Sequence, residues 1–493
     1  MVMSEFFCKE PQLQLAFVLP MKNHIFFFLF GNLALALTCS IKADVRLPSI
    51  IGDHMVLQKE SNVTIWGWAN PAEKVQVIPS WNDSINETSA DSGGTWSVSI
   101  LTPNAGGPYS MKVAGSNSIE IKDILIGEVW VCSGQSNMEW SGNHGLQQCT
   151  DEAPNANDSN IRFFYIPKTT ARFPQDRCEG TWEVCTPEAM MRFSAVGYFF
   201  GKQLRQKLEA PVGLINSNWG GTPAEVWTPR ELVESDSELQ VAASQIQPFA
   251  WWPKDAGLCY NAMIHPITSY RIAGAIWYQG ESNVDIAYAY EKLFTKMIGA
   301  WRTAWKQNFP FYFVQIAPYS YGKPSVCPIL REAQTKSASY SNTGMVVISD
   351  LVDDVKNIHP NNKRDVGLRL ANYALSATYG HKNIPHRSPQ YSRMEIEGQK
   401  IRVFFDNAES GLVARGGAPN EFYVAGENGK FLPASATIDG STVLVFTEKI
   451  TQPVAVRFGF SNTAIPNLFS NEGLPVNLFR TDQYLMTNSK DSH

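Results

Sequence analysis

A chain of 493 residues with 44% hydrophobic and 18% charged side chains is globular and exceeds what one core accommodates, so two or three domains are expected. The net charge of −5 offers no basic surface, which argues against nucleic acid or an anionic membrane as the main partner and leaves small molecules or neutral polymers. Fourteen tryptophans supply either bulky core or flat faces on which a sugar ring stacks.

Residues 1–43 read as a leader. Met21-Lys22-Asn23-His24 is a short basic head, "IFFFLFGNLALAL" is an apolar run of signal-peptide length, and "TCSIKA" ends on small residues, placing cleavage after Ala43. The apolar run is too short for a membrane span. Export follows as the expectation: secreted or periplasmic in a bacterium, lysosomal or extracellular in a eukaryote. Such a compartment permits disulfides among Cys132, Cys149, Cys178, Cys185, Cys259 and Cys327, with Cys178 and Cys185 near enough in sequence to close a small loop. None of these cysteines has zinc-ligand spacing. The sequons at Asn62, Asn82, Asn86 and Asn157 carry meaning only in a eukaryotic secretory pathway.

Residues 44–123 alternate short strand-like runs ("VTIWGWA", "KVQVIPSW", "TWSVSI", "YSMKVAG", "SIEIKDI") with Gly, Pro, Asn and Asp turns, the pattern of a small β-sandwich. The character changes over 124–388. There "GEVWVCSGQ", "PVGLINSNWGG", "AGAIWYQGESN", "FPFYFVQIAP" and "TGMVVISD" are apolar on both faces, as in a parallel sheet, and are separated by helical patterns. One helix carries Tyr290, Leu293, Phe294, Met297, Trp301, Ala304 and Trp305 on a single stripe. Another follows "HPNNKRD" with Val366, Leu370 and Ala374 on one side. Strands alternating with such helices specify an α/β layered domain. From 389 to 493 short β runs return ("KIRVFFDNA", "EFYVAGENGKF", "STVLVFTE", "PVAVRFGFSN"), a C-terminal β-rich domain.

Ligands of an open parallel sheet bind beyond the carboxyl ends of its strands, where loops converge. The first strand of this domain is followed by Ser133-Gly134-Gln135-Ser136-Asn137, the second by Trp219-Gly220-Gly221-Thr222, the third by Gln279-Gly280-Glu281-Ser282-Asn283, and the last by a loop with Asp353, Asp354 and His359. This set is what acyl transfer requires: a hydroxyl, an imidazole to take its proton, and donors aimed at the oxyanion. Ser136 is the candidate nucleophile and His359 the base. The oxyanion donors are the Ser136 amide, the Gly221 amide, and a side-chain amide from Gln279 or Asn283. Taken singly, each has an ordinary reading, such as a helix cap for Ser136 or a turn for Gly220-Gly221; it is their meeting at one edge that specifies chemistry. A strained nucleophile elbow is not expected, because Met138 stands where its second glycine belongs. Glu225 and Glu281 form a rival, glycosidase-type carboxylate pair. Trp219 and Glu281 are the substrate-side candidates, joined by the Trp251-Trp252 pair, while Arg230 and Arg331 are available for a substrate carboxylate.

In this order "CSGQSNMEW", "NWGGTPAEVW", "YNAMIHPI", "IWYQGESN", "IHPNNKRDVGLRLA" and "GLPVNLFRTD" resemble the sialate O-acetylesterase family within the SGNH (GDSL-like) hydrolases. The resemblance runs over nearly the whole mature chain, from "RLPSIIGDHMVLQ" onward. It implies a flavodoxin-like α/β/α hydrolase domain with a parallel sheet, flanked by the N-terminal β-sandwich and the C-terminal β-rich domain. It also implies a Ser-His centre that removes acetyl groups from sugars without metal or cofactor. Ser136 matches the nucleophile of the first block, Gly221 the glycine of the second and His359 the histidine of the last. The third block departs from the common GxND, leaving Gln279 or Asn283 as donor. In place of the aspartate three residues before the histidine stands Lys356. Either Asp353 or Asp354 then reaches back across the loop, Asp353 being preferred, or a backbone carbonyl orients the imidazole of a dyad. The expected function is carbohydrate O-acetylesterase acting through a serine acetyl-enzyme on an O-acetylated sugar or glycan. The alternatives are a catalytically silent glycan-binding protein and an acetylxylan-type deacetylase using the same site.

Overall fold

The computed structural model describes residues 44–483; the expected leader and the last ten residues of the C-terminal region lie outside the described residues. At its centre is a sheet in the order Thr343–Val346, Phe311–Val314, Gly274–Tyr278, Ser118–Gly134, Val212–Asn218, Asp158–Tyr165, Trp182–Cys185. Every pairing along this path is parallel except the last, in which Trp182–Cys185 runs antiparallel at the edge.

Side chains alternate across this sheet as the pleat requires. Val129, Val131, Ala275, Trp277, Phe311 and Phe313 point into one core, with Leu293, Phe294, Met297 and Trp301 of the helix Tyr290–Trp305. Trp130, Cys132, Ile276, Tyr278, Tyr312 and Val314 point into the opposite core, with the helices Ala195–Leu208 and Lys363–Ala377. Each fully buried large side chain of this kind stabilises the fold by roughly 1.5–3 kcal/mol. Because both faces are covered, the strands read as near-continuous apolar runs. The helix stripe expected from sequence is the buried face of Tyr290–Trp305, except that Ala304 is half-exposed and Ile298 and Arg302 are buried instead.

Upstream, Asn62–Trp68 pairs with Thr95–Leu101, and Lys74–Pro79 lies between Asn86–Ser89 and Gly106–Ala114. The strand Ser118–Gly134 belongs to both regions: its first half pairs with Gly106–Ala114 and its second with the parallel sheet. At the expected boundary, Asp123 adopts φ 55° and accepts two bonds from the buried Arg162, at 2.6 and 3.2 Å. Downstream, Gln390–Glu397, Lys400–Asp406, Thr442–Phe446 and Ser435–Asp439 form one antiparallel sheet, and Phe431–Pro433, Phe422–Ala425, Ala455–Phe458 and Phe479–Arg480 another. Arg480 ties this region to Glu332 of the helix Val326–Ser337 at 2.9 Å.

Among the described residues no helix is long and apolar enough to cross a membrane. The six cysteines of the described residues are all free, Cys178 and Cys185 among them. Cys185 sits in the edge strand with its thiol against the Ala156 carbonyl at 3.6 Å.

Candidate active site

Four loops leave the carboxyl edge of the parallel sheet, and the first is hydrogen-bonded to the other three. The Trp219 amide donates to the Gly134 carbonyl at 3.1 Å, and the Gln135 amide donates to the Tyr278 carbonyl at 3.0 Å. The Gln135 side-chain oxygen receives the amides of Gly280 and Ser282 at 3.2 and 3.4 Å. Asn137 donates to the Ile358 carbonyl at 3.0 Å. Residue 136 is thereby held from both sides, by neighbours whose polar groups are satisfied in a buried setting.

Ser136 opens the short helix Ser136–Glu139, whose cap is Gln135. Its hydroxyl does not cap that helix. It lies 2.8 Å from Nε2 of His359, although the two residues are far apart in sequence. Burial, aided by the charges of Lys363 and His144, lowers the His359 pKa to about 4, so the imidazole is neutral at ordinary pH and free to accept a proton.

What holds the imidazole is an aromatic sandwich that sequence reasoning missed. The His359 ring stacks on Trp140 at 4.4 Å and 22°, and Trp140 stacks on His144 at 5.2 Å and 14°. His144 is fixed in turn by the Ser141 amide at 3.1 Å. Neither aspartate takes the orienting role. Asp353 and Asp354 are exposed, and the Asp354 carboxylate accepts the Lys356 amide at 2.8 Å within its own turn. Among the described residues no carboxylate hydrogen-bonds the imidazole; the His359 amide is bound by the Asn357 side chain at 2.9 Å.

The glycine pair of the second loop divides its work. A Cβ on Gly220 would stand 3.3 Å from that of Ser136, so this loop passes directly over the hydroxyl-bearing residue. The Gly220 amide is already donated to Glu139, whose carboxylate also pairs with Lys168 at 2.6 Å. Gly221 has φ 81°, and a Cβ there would lie 2.2 Å from the Trp252 ring, so only glycine fits. Among the described residues the amides of Gly221 and Ser136 have no hydrogen-bond partner.

The side-chain amides proposed from sequence as a third donor are turned away. Gln279 is fully buried; its amide nitrogen donates to Asn283 at 2.7 Å and Thr222 at 3.2 Å, and its oxygen accepts the Tyr290 hydroxyl at 2.9 Å. Asn283 in turn donates to Glu225 at 2.9 Å and accepts the Ala224 amide at 3.0 Å. These residues knit the second and third loops together from below.

Glu281, a candidate for touching substrate, is buried instead. Asn137 donates to its carboxylate at 2.6 Å, and Lys363 donates to the oxygen of the same Asn137. Desolvation raises the Glu281 pKa, while burial lowers that of Lys363 to about 7. The Lys363 ammonium lies over the rings of Trp140 and Tyr278 at 5.6 and 5.5 Å. A glycosidase pair is not formed by Glu225 and Glu281: each is buried and bonded to a different asparagine, and burial lifts Glu225 to about 7. Arg331 is likewise buried, bonded to Gln315 at 3.2 Å, and offers no surface to a substrate carboxylate. Trp219 remains half-exposed beside Gly220, its indole donating to the Trp251 carbonyl at 3.0 Å.

Residues 126–376 match the family described as carbohydrate esterase, sialic acid-specific acetylesterase. The chain is 30% identical to sialate O-acetylesterase of Pongo abelii over 393 residues, covering 72% of this chain and 75% of that protein. It is 29% identical to the Mus musculus enzyme of the same name over 422 residues, covering 71% and 76% respectively. A carbohydrate acetylesterase from Xanthomonas citri superposes with a TM-score of 0.81 at 36% identity, over 89% of this chain and all of that one.

Proposed function

This chain belongs to the sialic acid-specific acetylesterase family of carbohydrate esterases, and from that membership we propose how its own residues carry out the hydrolysis. The enzyme is a carbohydrate O-acetylesterase. Ser136 is the nucleophile: His359 takes its proton as the oxygen attacks the acetyl carbonyl, and the negative charge that develops is received by the amides of Ser136 and Gly221. Collapse expels the sugar alkoxide, which takes the proton from His359, and leaves an acetyl-serine. Water, deprotonated by the same imidazole, attacks the acetyl carbonyl, and collapse releases acetate while the imidazolium returns its proton to the Ser136 oxygen.

The observation that carries this reading is the 2.8 Å contact between Ser136 Oγ and His359 Nε2 on an imidazole kept neutral by burial. The centre works as a dyad, with stacking on Trp140 in place of an orienting aspartate. Trp219, half-exposed beside Gly220, is the residue we assign to the sugar side. We read an SGNH-type hydrolase layer over 124–388, preceded by a β-sandwich over 44–123 and followed by a β-rich region from 389. The leader assigned to 1–43 supports export.

The test is acetate release from O-acetylated sialic acids, acetylated xylan and simple acetylated monosaccharides by wild type, Ser136→Ala and His359→Ala. Folded variants that release no acetate support the mechanism, and full activity in either overturns it.

A further inference from the structure

The surface beside the nucleophile carries more exposed aromatic area than packing requires. Trp251 is 74% exposed and Phe249 49%, yet the segment bearing them is tied down by ring contacts and a backbone bridge. Phe249 stacks on Trp252 at 4.0 Å and 6°, Trp251 meets Phe249 edge-on at 5.1 Å, and residues 249 and 252 bridge as an antiparallel pair. Trp252 is pressed against Gly221, and Trp219 donates its indole N–H to the Trp251 carbonyl at 3.0 Å. Fixed, exposed aromatic faces mark a binding surface.

Its place identifies the occupant. The chain steps from Gly221, against Trp252, to Gly220, over Ser136, and each such step is about 3.8 Å. The aromatic platform therefore begins within about two residues of the nucleophile. An acetylated ring seated at Ser136 would extend its glycosidic neighbour across this surface. Aromatic faces pair with the C–H face of a pyranose, whose rim hydroxyls then stay in water.

Resting on the carbohydrate O-acetylesterase reading above, we propose that Phe249 and Trp251 form a stacking subsite for a second sugar ring, so that the enzyme acts on an O-acetylated oligosaccharide in preference to the free acetylated monosaccharide. The Trp252–Gly221 contact couples this subsite to the loop that supplies the Gly221 amide.

The test compares kcat/KM for an O-acetylated xylo-oligosaccharide against O-acetylated methyl xyloside, and for O-acetylated sialyl-lactose against O-acetylated free sialic acid. Wild type, Trp251→Ala, Phe249→Ala and Trp251→Phe are measured on whichever pair is cleaved. Wild type is expected to prefer the oligosaccharide, and each alanine variant to lose about tenfold on it through KM. The corresponding loss on the monosaccharide is severalfold smaller, and Trp251→Phe recovers most of the oligosaccharide rate. Equal losses on both members of a pair, or no loss on either, overturn the subsite while leaving the esterase intact. Wild type that cleaves an aryl acetate but no acetylated sugar overturns the function and the subsite together.

Discussion

Asn137 donates its side-chain N–H to the carbonyl of Ile358 at 3.0 Å, so the residue after Ser136 grips the residue before His359. The same amide reaches Glu281 at 2.6 Å, and its oxygen accepts from Lys363. Three loops are pinned by one side chain. A shift of about 1 Å in reacting groups costs on the order of 100-fold in rate. Asn137→Ala is therefore expected to lower kcat by about 10- to 100-fold with KM changed by less than about threefold. Steady-state kinetics on an acetylated sugar decides it; a kcat near wild type would remove the brace.

The aspartates carry the opposite expectation. Asp353 and Asp354 are exposed and neither contacts the imidazole, and a surface carboxylate swapped for its amide typically changes stability by less than about 0.5 kcal/mol. Asp353→Asn and Asp354→Asn should each stay within about twofold of wild type in kcat/KM, since neither orients the base. A large loss in one alone would restore a triad.

The sequence made the strand ends legible because parallel strands buried on both faces are apolar throughout, and the polar residues that interrupt them stand out. Ser136, Gly221 and His359 stand at such interruptions, and the structure brings them to one edge. The direction in which a loop side chain turns was not legible: Gln279 and Asn283 stand after the same strand as Glu281, and only packing sends all three inward. Lys363 did leave a signal. It lies three residues before Val366 and seven before Leu370, on the buried stripe of its helix, and a lysine there calls for a partner. Trp140 left none beyond its place one helical turn after Ser136, since an aromatic four residues on is ordinarily core. The spacing of the cysteines carried no pairing signal, and among the described residues all six are free.

Burial is the main cause of the low His359 pKa of about 4, and Trp140 covers one face of the ring. In wild type the base form prevails above about pH 4, so kcat/KM for a neutral acetylated sugar should hold level from neutrality down to about pH 5 before falling. Trp140→Ala admits water, which favours the imidazolium, and the acid limb should move up toward the ordinary value of 6.5. Stability follows the same sign: a folded pKa below the unfolded one means that stability present above pH 6.5 is lost as the pH falls toward 4. A pH–rate profile of both proteins tests the shift, and an unmoved limb in Trp140→Ala would count against the stacked indole as its cause.

Gly221 answers to two constraints at once, and they can be separated. At φ 81° any side chain is strained, which costs on the order of 1–3 kcal/mol, and a Cβ would also strike the Trp252 ring. Gly221→Ala is expected to lower the melting temperature and, by displacing an amide that receives the oxyanion, to cut kcat by about 100-fold. Trp252→Ala alone opens the space but keeps the glycine conformation, so its kcat should fall far less. In the double variant the collision is absent and only the backbone strain remains, so the two losses should combine to less than their sum. Additive losses in melting temperature and kcat would show that the ring and the amide act independently, and would sever the link between Trp252 and the oxyanion loop.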